Sequence, residues 1–242
     1  MIASLGCCRL MGCFKGTLQS TRTGVFGSRL GGVSLEFAEG KLPWTRSTKS
    51  LNPFFHSKEI ALDWKTELKE LVRKHALRFG TFTLASGKTA SYYLDCRQVT
   101  LHPRGANCIA QGMIETMRGE APDAIGGMAI GADPITAAVV TLCGQQGIHI
   151  RGFMVRKEAK AHGMGRQVEG PVEPGMRCII VEDVVTSGGS ALQAATAATQ
   201  FGLEVIGVLA VIDRLEGGRE AIEAAGYQLT SLLDIQDFLP GS

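Results

Sequence analysis

The chain has 242 residues, of which 45% are hydrophobic, 20% are charged and 6% are aromatic, and its formal net charge is +2. This apolar fraction excludes wholesale disorder, and no apolar run approaches the ~20 residues of a membrane-spanning helix, so we expect a soluble protein without a membrane partner. The length fits one large domain, or one domain with an appendage.

The charge and cysteine patterns exclude further classes of protein. Residues 1–50 hold seven Lys/Arg and two acidic residues, whereas the rest of the chain holds 18 basic and 21 acidic ones. A slightly acidic body lacks the clustered cations that bind nucleic acid, so no nucleic-acid partner is expected. The seven cysteines show neither Cys-x-x-Cys spacing nor a Cys/His ligand pattern. This argues against a zinc site or a disulfide framework and favours a cytoplasmic location.

Residues 1–56 form a predicted N-terminal leader, because they show no sustained helical or strand period. They are rich in Gly, Ser, Thr and Arg, and their first acidic residue is Glu36. Such a composition is typical of an organelle transit peptide, and also of a disordered extension without a catalytic role. We favour the disordered extension and expect the folded domain to span residues 57–242.

Helical and strand signals alternate after the leader. A helix is predicted from an N-cap at Ser57 to a stop at Gly80, because apolar residues recur between them at helical spacing. The elements predicted after it are strands at 82–84 and 91–95, a helix at 104–118, a strand at 124–130, a helix at 134–147, strands at 150–155 and 177–181, a helix at 190–201, a strand at 205–212 and a helix at 217–225. Strands that are apolar on both faces and alternate with helices indicate a doubly wound α/β fold around a parallel sheet.

The most informative segment is 178–190, where a buried strand runs into two acids, a loop of small residues and a helix. Glu182 and Asp183 follow the predicted strand at its carboxyl end, where open α/β sheets bind ligands. The residues after them are Val184, Val185, Thr186, Ser187, Gly188, Gly189 and Ser190. Backbone N–H groups and hydroxyls at a helix N-terminus are suited to a phosphate monoester. Adjacent carboxylates would repel a phosphate but can grip hydroxyls, so the segment favours a ribose 5-phosphate.

The ordinary alternative is a strand–turn–helix junction with an N-cap serine and two exposed acids. The buried strand, the acid pair and the small-residue loop occur together in register, which makes this alternative the less favoured one. A P-loop is excluded because no Gly-Lys-Ser/Thr follows at the required spacing. The dinucleotide-binding Gly-x-Gly-x-x-Gly fingerprint is also absent after every predicted strand.

The segment resembles the binding signature for 5-phosphoribosyl 1-diphosphate (PRPP) of the type I phosphoribosyltransferase family. Segments 82–97, 131–134, 155–163 and 211–214 are similar to motifs of the orotate phosphoribosyltransferases, and the resemblance covers about residues 60–238. The chain departs from one common form of the family at Ala85, where that form has a lysine before Ser-Gly. A PRPP contact at that position is therefore not carried over, and Lys88 is the alternative cation there.

Segment 156–166 is rich in cations and glycines and has no apolar period, so an exposed mobile loop is predicted. A solvated charge run is the ordinary alternative. The pyrophosphate of PRPP must be neutralised as it departs, and mobile cations that close over the site would do so and exclude water. The resemblance assigns Arg156, Lys157, Lys160 and His162 to PRPP. It also implies a homodimer in which this loop closes over the neighbour's active site.

Three residues are candidates for binding the base. Tyr93 and Leu94 are suited to flanking a flat pyrimidine ring, although a Tyr-Tyr-Leu strand is more often part of a core. Arg214, just past an apolar strand, is suited to gripping a carboxylate bidentately, although a lone arginine at a strand end is usually a surface cation. The family resemblance is what favours the functional interpretation and implies orotate as the base.

The resemblance implies a type I fold, with a mostly parallel sheet, a small hood subdomain and a mobile catalytic loop. Its activity would be transfer of ribose 5-phosphate from PRPP to N1 of orotate in pyrimidine biosynthesis, with Lys160, Glu182 and Asp183 as catalytic residues. Mg²⁺ is expected to be held by PRPP oxygens and water, so no protein metal ligand is assigned. The alternatives are a purine phosphoribosyltransferase and a non-catalytic PRPP-binding regulator. Such a regulator needs a DNA-binding module, and residues 1–56 lack its helical period.

Overall fold

The computed structural model of the protein describes residues 63–83, 89–120, 122–158 and 167–239. The leader and the predicted cap at Ser57 lie outside these residues, so the boundary between 56 and 57 stays a prediction. The first described helix begins after Asp63.

The described elements follow the predicted alternation of helices and strands. The helices are α1 (Trp64–Leu71, continued by a π-helical turn at Val72–Ala76), α2 (Arg97–Thr100), α3 (Pro103–Thr116), α4 (Asp133–Gln145), α5 (Gly189–Phe201), α6 (Gly218–Ala224) and a 3-10 turn (Ile235–Phe238). The strands are β1 (Leu77–Thr83), β2 (Thr89–Leu94), β3 (Ala124–Met128), β4 (Arg151–Val155), β5 (Val168–Glu169), β6 (Arg177–Val185), β7 (Glu204–Asp213) and β8 (Leu229–Asp234).

The main sheet confirms the predicted doubly wound α/β fold. Its strand order within the described chain is β5-β4-β3-β6-β7-β8, and every neighbouring pair is parallel except β4 with the short edge strand β5. Successive residues of a strand face opposite sides, so Ile179 packs into the core with α1, α3 and α4, whereas Ile180 packs into the core with α5. Because both faces of the sheet are covered, residues 178–181 of β6 and 208–212 of β7 form continuous apolar runs.

The first two strands form a separate antiparallel hairpin, the hood of the molecule. The predicted helix stop at Gly80 was wrong, because the helical segment ends at Ala76 and Gly80 lies inside β1. The register of the hairpin shifts between Phe79 and Phe82. A glycine inside a strand often marks such an irregularity, and here it follows the helix closely enough to imitate a helix stop.

Two strands were not predicted from the sequence. β5 has only two residues, and β8 pairs in parallel with β7 at the other edge of the sheet.

None of the helices in the described ranges has the length and apolar character of a membrane span. Of the seven cysteines, the four in the described ranges are buried free thiols, at positions 96, 108, 143 and 178.

Candidate active site

The carboxyl ends of β3, β4, β6 and β7 open into one cavity of about 550 Å³, which β2 and α2 complete. This is the edge at which open parallel sheets bind ligands. The polar residues that line the cavity are Asp95, Arg97, Lys157, Glu182, Asp183, Thr186, Ser190 and Arg214. The sequence-predicted acids, loop and arginine therefore meet in one place.

A smaller pocket of about 90 Å³ adjoins this cavity, and residues 184–191 and Glu182 line it. Gly188 adopts a left-handed backbone with φ of 78°, which turns the chain directly into α5. A Cβ on Gly188 would lie 2.9 Å from the carbonyl oxygen of Gly218. The first N–H groups of a helix have no partner within the helix, so the loop presents donors and a positive dipole end to an anion.

The first residue of the acid pair, Glu182, has a strongly raised pKa. Glu182 and Asp183 lie within β6, which continues to Val185 rather than ending at residue 181 as predicted. Burial, reinforced by the charge of Asp183, raises the pKa of Glu182 to about 8. Glu182 is buried and its Oε2 has no hydrogen-bond partner, whereas Asp183 Oδ1 accepts the N–H of Val184 at 2.9 Å. A buried carboxyl oxygen without a partner is costly, so the site is suited to a hydroxyl donor or a cation from a ligand.

Arg214 is held from three sides. Its backbone N–H donates to the carbonyl of Val185 at 2.9 Å. Its Nε donates to the hydroxyl of Tyr92 at 3.0 Å, and its Nη2 lies 2.7 Å from Oε1 of Glu216. The Tyr92 hydroxyl in turn donates to the same Glu216 oxygen at 3.1 Å. The three side chains form a closed cluster, which we call the arginine triad, between the hood and the turn after β7.

The turn after β7 is anchored by a buried ion pair. Asp213 is fully buried, and its Oδ2 lies 2.9 Å from Nη2 of Arg219. Its Oδ1 accepts the N–H of Leu215, whose φ of 56° closes the turn. A buried carboxylate with two kinds of donor is well satisfied. This fixes the position from which Arg214 projects.

The structure separates the two predicted base-binding residues. Leu94 lines the cavity, but Tyr93 lies outside its lining, is 44% exposed and packs against the ring of Phe82 at 5.8 Å between centroids. Strand residues two apart share a face, so Leu94 shares its face with Tyr92 rather than with Tyr93. Tyr92 is thus a site residue that the sequence reasoning missed, and the strand period relative to Leu94 was the signal that could have found it.

The predicted cationic segment, 156–166, is described only at residues 156–158. Lys157 lines the cavity, whereas Nε of Arg156 lies 3.1 Å from Oε1 of Glu169 on β5. Lys160 and His162 lie outside the described residues. The base of the segment is a β4–β5 hairpin in which the N–H of Arg156 donates to the carbonyl of Gln167.

Asp95 and Arg97 are two further lining residues that the sequence reasoning did not single out as site residues. Nε of Arg97 lies 2.8 Å from Oδ1 of Asp95, and the bond it donates lowers the pKa of Asp95. Asp133, near the same edge, has a buried Oδ1 without a partner, and burial raises its pKa. Across the ranges that the structure describes, no three His, Cys, Asp or Glu side chains cluster closely enough to hold a metal ion.

Comparisons with known proteins point in one direction. No family model matches the chain. It is 59% identical to the orotate phosphoribosyltransferase of Rhodopirellula baltica over 174 residues, which are 69% of this chain and 90% of that protein. It is 46% identical to the orotate phosphoribosyltransferase of Aquifex aeolicus over 178 residues, 72% of this chain and 97% of the relative. The crystal structure of Mycobacterium tuberculosis orotate phosphoribosyltransferase in complex with PRPP matches with a TM-score of 0.62 and 37% identity, over 72% of this chain and 98% of the other.

Proposed function

The chain belongs to the orotate phosphoribosyltransferase family, which has the type I phosphoribosyltransferase fold, and we propose that the 550 Å³ cavity is its active site. The enzyme is a glycosyltransferase that moves ribose 5-phosphate from PRPP to N1 of orotate, giving orotidine 5′-phosphate and pyrophosphate in pyrimidine biosynthesis. The site assignment rests on one observation: residues 186–190, which we call the phosphate loop, converge with the acid pair and Arg214 on one cavity.

The 5-phosphate is proposed to bind in the 90 Å³ pocket. Residues 186–190 supply backbone N–H groups, the hydroxyls of Thr186, Ser187 and Ser190, and the N-terminal end of the 13-residue helix α5. Gly188 and Gly189 allow the phosphate to approach the backbone closely. Val184 and Val185 connect this pocket to the acids within one continuous strand.

The ribose hydroxyls are proposed to bind Glu182 and Asp183. The partnerless Oε2 of Glu182 supports this proposal, because a hydroxyl from the ligand would satisfy it. PRPP-utilising phosphoribosyltransferases generally use Mg²⁺. The acids next to the phosphate pocket fit a cation that is held mainly by PRPP oxygens and water, and such a cation would neutralise the diphosphate.

The base is proposed to lie between Leu94 and Arg214, with the orotate carboxylate on the guanidinium. Leu94 offers an apolar surface to the ring, and Arg214 offers charged donors that its neighbours already orient. Tyr93 was predicted to contact the ring, and this remains a proposal that would require the hood to rearrange, because its side chain packs outside the cavity.

Catalysis is proposed to rest on positioning and on charge rather than on a protein nucleophile. N1 of orotate attacks C1′ as pyrophosphate leaves, through an oxocarbenium-like transition state, and charge on the departing pyrophosphate must be stabilised. Lys157 lines the cavity and is suited to this task. Arg156, Lys160 and His162 are proposed to act on the active site of a partner subunit in a homodimer, and the enzyme is proposed to be cytoplasmic.

The test is the PRPP-dependent loss of orotate absorbance by the purified protein, with adenine, hypoxanthine and uracil as competing substrates. We expect turnover of orotate and none of the purines. If the protein turns over a purine and does not turn over orotate, the assigned substrate is wrong, whereas the fold assignment is unaffected. PRPP binding without turnover of any base would indicate the regulator alternative.

A further inference from the structure

The arginine triad contains a carboxylate that no step of the proposed chemistry uses. Oε1 of Glu216 lies 2.7 Å from Nη2 of Arg214 and accepts the Tyr92 hydroxyl as well. We propose that Glu216 is an internal competitor of the orotate carboxylate: it neutralises Arg214 when no carboxylate ligand is bound, and the ligand displaces it. This inference rests on the proposed role of Arg214.

Arg214 and Glu216 differ in exposure, so separating them costs much more free energy at Arg214 than at Glu216. The Arg214 side chain is 17% exposed, whereas the Glu216 side chain is 43% exposed. A largely buried guanidinium without a partner costs free energy, because it has lost its hydration. A glutamate at the surface is hydrated by water when it leaves the ion pair. Glu216 can therefore leave at small cost, provided that another carboxylate takes its place on Arg214.

Tyr92 keeps the guanidinium in place during such an exchange. Its hydroxyl accepts the Nε–H of Arg214, and its ring lies under the guanidinium carbon at 4.9 Å from the centroid. Neither contact involves Glu216. An arginine has five N–H donors. When Glu216 leaves, the Nη2 group of Arg214 can therefore bind a ligand carboxylate while Nε still donates to Tyr92.

Competition from Glu216 would weaken the binding of substrate and of product alike. Orotate and orotidine 5′-phosphate carry the same carboxylate, so a residue that competes for Arg214 raises the dissociation constant of both. Its return to Arg214 would help the product leave. Uridine 5′-phosphate has the same phosphate, ribose and ring but no carboxylate, so its binding leaves the Arg214–Glu216 pair intact.

The test compares the binding of orotidine 5′-phosphate and uridine 5′-phosphate to the purified enzyme by titration calorimetry. For Glu216→Gln we expect the dissociation constant of orotidine 5′-phosphate to fall about three- to tenfold, the range set by one partly exposed ion pair. The dissociation constant of uridine 5′-phosphate should stay within about twofold. Glu220→Gln is the matched control, because it removes the same charge from an exposed position on α6.

Two results for Glu216→Gln would overturn the inference. Weaker binding of orotidine 5′-phosphate would show that Glu216 positions Arg214 instead of competing for it, and unchanged binding would show that the pair is incidental. Arg214→Ala separates these results from the role of Arg214 itself. If that variant keeps the wild-type preference for orotidine 5′-phosphate over uridine 5′-phosphate, the carboxylate site lies elsewhere and the proposed function of Arg214 fails.

Discussion

Gly218 lies so close to the phosphate loop that a Cβ on it would sit 2.6 Å from the carbonyl oxygen of Thr186. The same atom would lie 2.5 Å from Cγ1 of Val185 and 3.0 Å from the backbone nitrogen of Gly188. Gly218 begins α6, directly after the turn that carries Arg214. The proposed phosphate and base subsites therefore share one wall, and a side chain at position 218 would push on both.

The first prediction concerns that wall. Gly218→Ala should raise the Michaelis constant for PRPP about tenfold or more and lower the free energy of unfolding by about 1–3 kcal/mol, because the neighbouring atoms belong largely to the backbone. Steady-state kinetics and urea denaturation would measure the two effects. Gly144→Ala in α4 is the control, since its Cβ would meet nothing within 4 Å. Normal PRPP kinetics in Gly218→Ala would show that the loop position does not govern binding.

The second prediction concerns pH and stability. The pKa of Glu182 is raised from 4.5 to about 8, so between these values the native protein keeps a proton that the unfolded chain has released. The free energy of unfolding should therefore fall as pH rises from about 5 to 8, by at most about 1.4 kcal/mol per pH unit from this group.

Glu182→Gln should remove this component. Urea denaturation without ligand should show the variant gaining stability relative to the wild type from pH 5 to pH 8, whereas Glu220→Gln should follow the wild type. Parallel curves for Glu182→Gln and the wild type would mean that Glu182 ionises normally.

The third prediction concerns the orotate carboxylate. Arg214→Ala should raise the Michaelis constant for orotate more than that for PRPP, because only orotate is proposed to touch the guanidinium. A charge-assisted pair contributes about 1.5–3 kcal/mol, so discrimination between orotate and uracil should fall about ten- to a hundredfold. Arg118→Ala, at an exposed arginine outside the cavity, should leave both constants unchanged.

The fourth prediction concerns Lys160. Lys160→Ala should lower kcat by about two to three powers of ten and affect PRPP binding much less, because a contact made on loop closure acts mainly in the transition state. Mixing this variant with a Glu182→Gln/Asp183→Asn variant should restore activity, since one site of each heterodimer would be intact. Mixed dimers, confirmed by mass, that stay as inactive as their parents would show that the loop serves its own chain.

The fifth prediction concerns the leader. Deleting residues 1–56 should leave the melting temperature and turnover nearly unchanged, because this segment has neither core periodicity nor motif residues. Thermal denaturation and the orotate assay would measure both. A large drop in either quantity would show that the leader packs on the catalytic domain.

The phosphate loop could be predicted because its signal is local. A buried strand, two acids, a run of small residues and the start of a helix follow one another within thirteen residues. Each of these patterns predicts its local backbone structure without contacts from elsewhere in the chain. The structure places these residues around the two adjoining pockets. Alternation of apolar strands and helices was likewise enough to predict the parallel sheet.

The hood could not be predicted to the same accuracy, because its geometry depends on contacts across the chain. The strand period places Tyr92 on the same face as Leu94, but the sequence does not show which face of β2 meets the cavity, because that depends on how the hood packs on the rest of the chain. The pairing of Tyr92 with Arg214 spans 122 residues. Likewise, the perturbed pKa of Glu182 follows from burial, which depends on the assembled sheet.

The hairpin of β4 and β5 sets a limit on how the subunits of the proposed dimer are arranged. Arg156 and Gln167, which flank residues 157–166, are joined by two hydrogen bonds at one edge of the sheet. Lys160 is four residues from Arg156, so its Cα extends at most about 14 Å from that anchor. A tether of this length means that the anchor of one subunit must lie within about 20 Å of the other subunit's cavity, side-chain length included. Any dimer that holds these two points farther apart would leave Lys160 able to serve only its own chain.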